Sequence, residues 1–108
     1  MKDSMDKIEK LKSFLMLTPE DPFLKHALAL EYIKAGDEPF ARDLFIEILN
    51  RDPSYIGSYY HLAKLLERAG DTASAKIWYE KGLISSRQAD DSHTYNELQT
   101  GLEELING

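Results

Sequence analysis

The chain contains no cysteine among its 108 residues, which excludes disulfide bonds, thiolate metal sites and cysteine nucleophiles. This absence fits a reducing compartment. Four prolines and six glycines are few enough to leave room for long helices. No apolar run approaches the length of a membrane-spanning helix, and the first seven residues alternate charges where a signal peptide would carry its apolar core. We therefore expect a cytoplasmic protein without membrane association.

Basic residues are in the minority, since 13 Lys and Arg oppose 19 Asp and Glu to give a net charge of −6 at pH 7. A negative chain is repelled by a phosphate backbone, so we expect no nucleic-acid partner. The segment 88–108 contains acidic residues but neither Lys nor Arg. It is either a solvated outer face or a docking edge for a basic partner.

Catalytic signatures are also missing. The chain has three histidines, no phosphate-loop glycine pattern and no His-Glu-x-x-His metal motif. His26 and His61 are the best candidates for a metal or hydrolytic site, but acidic residues that could complete it are sparse nearby. We therefore expect no enzymatic activity, no metal and no cofactor.

Apolar residues recur three and four positions apart along most of the chain, which predicts an all-α fold of five to six helices. The first helix is predicted over 4–17, and Asp21 and Pro22 are suited to cap and begin the second. The helix from about Glu38 to Asn50 is expected to bury six residues. The apolar face of the first helix is Met5, Ile8, Leu11, Phe14 and Leu15, and that of the 38–50 helix is Phe40, Ala41, Leu44, Phe45, Ile48 and Leu49.

The second half of the chain follows the same pattern. Asp52-Pro53-Ser54 is predicted to open a helix, and Gly70 is predicted to end it in the left-handed conformation, as Gly36 does earlier. Gly82 lies inside the next helix, where it is expected to allow close helix contact. A last helix over 92–107 presents an apolar stripe, formed by Tyr95, Leu98, Leu102, Leu105 and Ile106.

An internal repeat with a period of 34 residues underlies this similarity. The triplet 35–37, Ala-Gly-Asp, recurs without a gap at 69–71. The other matching pairs are Pro19 with Pro53, Leu28 with Leu62, Ala29 with Ala63, Ala41 with Ala75, Phe45 with Tyr79, and Leu49 with Leu83. Small alanines and large aromatic residues at fixed positions are typical of close helix packing.

These positions resemble the tetratricopeptide repeat, in which Leu, a small residue and Tyr in one helix accompany Ala, an aromatic residue and Pro around the next. Lys25, Leu66 and Arg87 depart from the pattern, and Arg87 in place of Pro suggests that its helix continues towards Gln88. The resemblance implies a right-handed α-α superhelix. We expect a single domain with an N-terminal helix at 4–17, repeats at about 22–55 and 56–89, and a C-terminal capping helix at 92–107.

The resemblance also implies a concave groove lined by the first helix of each repeat. Its predicted lining is Phe23, His26, Leu30, Ile33, Lys34, Tyr60, His61, Lys64 and Arg68. Basic residues beside apolar ones favour a peptide with apolar anchors and an acidic or C-terminal carboxylate group. An alternative interpretation is that Leu30 and Ile33 are simply core residues.

Two functional hypotheses from different classes follow. The first is a non-catalytic protein-interaction module that binds a protein or peptide partner in the concave groove. The second is a scaffold that forms a homodimer or larger assembly through its terminal helices, using residues such as Tyr95, Leu98 and Leu102.

Overall fold

The computed structural model describes the backbone of residues 2–108 and the side chains from Met5 onward. Within that range the secondary structure consists of six α-helices and no strand, which confirms the predicted all-α fold class. The helices are α1 (Lys2–Leu17), α2 (Pro22–Lys34), α3 (Glu38–Arg51), α4 (Gly57–Arg68), α5 (Thr72–Gln88) and α6 (Ser92–Asn107). The chain divides into two compact units, with the boundary between Ile48 and Leu49 in the sequence of α3.

In the first unit α2 packs against α1, and aromatic contacts join α2 to the N-terminal part of α3. Asp21 caps α2 as predicted, because its carboxylate accepts hydrogen bonds from the backbone N–H groups of Phe23 and Leu24. The buried apolar side chains of this unit are Ile8, Leu28, Ala29, Ala41, Phe45 and Ile48.

The predicted apolar faces of α1 and α3 are partly wrong. Met5 and Phe14 are exposed on α1, where Ile8 is buried. Phe40 is 57% exposed because it lies on the outer surface of α3, where its ring stacks on Tyr32 at 5.3 Å between centroids. A stacked aromatic pair therefore covers part of the surface without entering the core.

In the second unit α5 packs against both α4 and α6, and α6 also contacts α4. Gly82 allows the predicted close approach, since an added Cβ would lie 2.8 Å from both Tyr59 Cβ and Leu98 Cδ1. The helix α5 extends to Gln88, as the missing proline suggested. The fully buried side chains include Tyr59, Leu62, Ala63, Ala75, Tyr79 and Leu98.

The second unit differs from the predicted structure in three places. Asp52 does not begin α4: its carboxylate accepts from the Ser54 N–H at 3.1 Å and closes a turn, and α4 starts only at Gly57. Ile106 is exposed and does not extend the buried stripe of α6. Leu98 and Leu102 are buried within the chain, so they are not available as the pairing surface of the scaffold hypothesis. Self-association itself stays a prediction.

Three helices end with the same backbone arrangement. Gly36 and Gly70 take the left-handed conformation with φ of 82° and 84°, as predicted. Asp90 does the same after α5 with φ of 56°, and the following Asp91 N–H reaches back to the Ser86 carbonyl at 2.9 Å. An aspartate therefore fills a position that glycine occupies at the other two ends.

Candidate functional site

The exposed side of α2 carries five of the predicted groove residues, here called the α2 face: Phe23, His26, Leu30, Ile33 and Lys34. Phe23 is 68% exposed, whereas Leu30 and Ile33 are half-buried, so neither apolar residue is wholly core. His26 is also half-buried, and its ring meets Phe45 edge to face at 5.4 Å. The imidazole thus packs on the core of its own unit.

The ammonium group of the α2 face is already engaged. Lys34 Nζ lies 3.4 Å from a carboxylate oxygen of Glu31, one helical turn earlier. Glu31 is nearly buried, and its other carboxylate oxygen, Oε1, has no hydrogen-bond partner. Lys34 therefore compensates the negative charge of the buried Glu31 carboxylate. This makes the Lys34 ammonium group less available to bind a carboxylate of a ligand.

The corresponding side of α4, here called the α4 face, carries the other four: Tyr60, His61, Lys64 and Arg68. Tyr60 and His61 are half-buried, and Arg68 is exposed. Lys64 Nζ lies 5.5 Å from the centroid of the Tyr60 ring, within the range of a cation–π contact. This face therefore presents an aromatic ring beside two cations.

A series of polar contacts connects the α4 face to the core of the second unit. Lys64 Nζ lies 3.5 Å from Glu67 Oε2, and the same oxygen accepts a hydrogen bond from the buried Tyr79 hydroxyl. Burial, followed by the neighbouring Glu67 carboxylate, raises the pKa of Tyr79 far above its usual range. Glu67 therefore links a core tyrosine to a surface lysine.

His61 is the titratable group of the α4 face. Burial lowers the pKa of His61, the negative charge of Glu97 on α6 opposes that shift, and Arg68 adds to it. The neutral imidazole is therefore favoured at neutral pH.

A cavity in the second unit was not predicted from the sequence. It has a volume of about 370 Å³, and its walls include Pro53, Tyr59, Trp78, Lys81 and Ile84. Lys81 Nζ lies 4.6 Å from the centroid of the Trp78 ring. The sequence feature that could have indicated this cavity is the spacing of Trp78, Lys81 and Ile84 on α5. Residues three positions apart lie near one another on a helix.

Among residues 5–108, no three His, Asp or Glu side chains lie together so that they could hold a metal ion. None of the helices described above is both long and apolar enough to cross a membrane.

Comparison with known proteins identifies relatives over most of the chain, although no family model matches it. A TPR repeat-containing protein of Pseudomonas aeruginosa is 29% identical over 98 residues, covering 91% of this chain and 93% of that protein. The crystal structure of a tetratricopeptide repeat domain protein from Salinibacter ruber is 37% identical, with a TM-score of 0.78, and covers 81% of this chain and 97% of that one. The solution structure of a Bordetella parapertussis protein is 27% identical, with a TM-score of 0.79, and covers 93% of this chain and 87% of that one.

These likenesses agree with the 34-residue period and with the left-handed glycines that end α2 and α4. The chain belongs to the tetratricopeptide repeat family, whose fold serves as a protein–protein interaction module.

Proposed function

We propose that this chain is a non-catalytic, cytoplasmic interaction module that binds a peptide segment of a partner protein through its α2 and α4 faces. In this proposal the repeats span 22–55 and 56–89 within a single domain, and the helices at 4–17 and 92–107 cover their ends. The observation that carries it is the α4 face, where Lys64 Nζ lies 5.5 Å from the centroid of the Tyr60 ring and the exposed Arg68 follows one turn later on the same helix.

The ligand that suits the α4 face combines an apolar anchor with a carboxylate. Tyr60 supplies ring surface that a large apolar side chain can cover. Arg68 can receive a carboxylate through paired N–H groups, which a lysine cannot offer. On a chain with a net charge of −6, such a face attracts an acidic ligand that the rest of the surface repels.

Binding requires Lys64 to exchange partners. Its present ion pair with Glu67 is only partly buried, since the two side chains are 28% and 24% exposed. At 3.5 Å the pair is longer than a charge-assisted hydrogen bond, so a ligand carboxylate that approaches more closely can compete for the ammonium group. Glu67 keeps its hydrogen bond from Tyr79 when that happens.

The α2 face contributes apolar contacts in this proposal. Phe23 is a large exposed ring at the start of α2, and Leu30 and Ile33 are accessible in part. Because Lys34 compensates Glu31, we assign the charge recognition to α4 and the apolar recognition to α2. We expect micromolar affinity, since two repeats offer a small interface.

The test is a titration of the isotope-labelled chain with a capped acidic peptide that carries two leucines, followed through backbone amide shifts. The shifts are expected to concentrate on the α4 face. The double variant Lys64→Glu with Arg68→Glu is expected to weaken binding at least tenfold, because two attractions become repulsions. The matched control is Lys7→Glu with Lys10→Glu, which makes the same charge change on exposed positions of α1. Equal affinity of the α4 double variant and the control would disprove this mechanism.

A further inference from the structure

The cavity beside Trp78 is a second surface with the features of a binding site, separate from the α2 and α4 faces. Three of its lining residues are joined by the Pro53 carbonyl oxygen, which accepts hydrogen bonds from the Tyr59 hydroxyl at 2.5 Å and from Ser85 Oγ at 2.8 Å. These two bonds tie the loop before α4 to both α4 and α5. They restrain this part of the cavity wall, which lowers the cost of ordering it when a ligand binds.

The equivalent place in the first repeat lacks these features. Counting back 34 residues, Lys25 takes the position of Tyr59, Leu44 that of Trp78, and Glu47 that of Lys81. The buried Lys25 ammonium lies 2.9 Å from Glu20 and 3.3 Å from Glu47, so a charge network occupies this position. Although burial opposes it, these two carboxylates raise the pKa of Lys25 and keep it charged.

In the second repeat the buried cation is absent and the acidic position carries a lysine, because Tyr59 replaces Lys25 and Lys81 replaces Glu47. Lys81 is the one charged side chain among the cavity walls, and within the described part of the chain no carboxylate pairs with it. Its neighbour Trp78 offers a ring surface, and Ile84 is 61% exposed at the edge. A cation next to exposed apolar surface is complementary to a carboxylate attached to an apolar group.

We propose that this cavity binds an acidic segment of a partner protein that inserts one large apolar side chain against Trp78 and Ile84 and pairs a carboxylate with Lys81. The site is independent of the α4 face, because none of the α4-face residues lines it. A partner that engages both surfaces would gain affinity from two linked contacts.

Trp78 is the only tryptophan of the chain, so its fluorescence reports directly on this cavity. The probe is a capped octapeptide of glutamates around two leucines, compared with one in which alanines replace the leucines and one in which lysines replace the glutamates. We expect a saturable change in Trp78 emission with the first peptide, and at least a fivefold weaker response with the other two.

Two variants with matched controls assign the contacts. Lys81→Glu is expected to weaken binding about five- to tenfold, and Ile84→Ser about tenfold or more. Lys76→Glu and Ile77→Ser make the same changes at exposed positions of α5 outside the cavity, and each should leave the affinity within twofold. Circular dichroism of each variant verifies that the helices remain.

Four results would overturn this assignment. The first is no saturable change in Trp78 emission up to millimolar peptide, and the second is equal binding by Lys81→Glu and Lys76→Glu. A third is binding that is lost with Lys64→Glu and Arg68→Glu but kept with Lys81→Glu, which would place the acidic peptide on the α4 face. The fourth is an emission change that depends on protein concentration alone, which would make a second copy the occupant.

Discussion

Replacing Gly82 by alanine tests the packing on which the second unit depends. Gly82 is buried in α5 where the helix meets both α4 and α6. A Cβ at this position would lie 2.8 Å from Tyr59 Cβ, 3.0 Å from Tyr59 Cγ and 2.8 Å from Leu98 Cδ1. Tyr59 cannot easily move away, because its Cβ is bonded to the α4 backbone and its hydroxyl is held by the Pro53 carbonyl.

Two opposing effects determine how much Gly82→Ala changes the free energy of unfolding. Alanine in place of a helical glycine stabilises a protein by about 0.4–1 kcal/mol where it fits, because it restricts the unfolded chain. Crowding in a closed core costs about 1–3 kcal/mol. Since two of the three close atoms belong to the fixed base of Tyr59, we expect crowding to dominate and the free energy of unfolding to fall by about 1–2 kcal/mol.

The assay is urea unfolding followed by the emission of Trp78, which lies in the same unit as Gly82. With a slope of about 2 kcal/mol per molar urea, the midpoint should fall by roughly 0.5–1 M. The control is Gly57→Ala at the first position of α4, where an added Cβ meets nothing within 4 Å and should raise the midpoint slightly. If Gly82→Ala raised the midpoint as much as Gly57→Ala, the inferred close contact between these helices would be wrong.

Two further predictions concern the end of α5 and the α4 face. Asp90→Gly is expected to stabilise the chain by about 0.5–1 kcal/mol, since its φ of 56° suits glycine, whereas Asp90→Ala should be neutral or destabilising; thermal unfolding that ranks alanine above glycine would contradict this. Because the pKa of His61 is lowered in the folded chain, its contribution to the free energy of unfolding is complete above the unfolded pKa of about 6.5. This contribution is lost as the pH falls through the folded pKa, and the free energy of unfolding then decreases by no more than about 1.4 kcal/mol per pH unit. Urea midpoints measured between about pH 7.5 and about pH 5 should therefore fall further in the wild type than in His61→Gln, and parallel declines would remove His61 as the cause.

The course of the helices could be predicted because local chemistry determines it. Pro22 and Asp21 begin α2, and Gly36 and Gly70 end helices, for reasons that depend only on neighbouring residues. The start of α4 was predicted too early because Asp52 satisfies its carboxylate within a turn instead of on a helix. Side-chain hydrogen bonds of this kind compete with capping, and the sequence pattern alone does not separate the two.

Burial was harder to predict than helicity. Phe40 has the hydrophobicity of a core residue but stacks on Tyr32 at the surface, whereas the charged Lys25 is buried. The spacing of apolar residues predicts which side of a helix is apolar. It does not predict which side chains from neighbouring elements will contact that side. Lys25 is buried because Glu20 and Glu47 reach its ammonium group, and those residues come from a loop and another helix.

The Trp78 cavity was not predicted for the same reason, since it depends on contacts between side chains of different elements. Comparing the repeats emphasises positions that agree, such as Ala29 with Ala63, and these agreements describe the shared backbone packing. The cavity arises where the repeats disagree, since Tyr59 and Lys81 replace the ion pair of Lys25 with Glu47. Because the common packing already supports the fold, substitutions at such positions are free to create a surface that only one repeat has. Positions that differ between equivalent repeats are therefore where binding specificity should be sought in this chain.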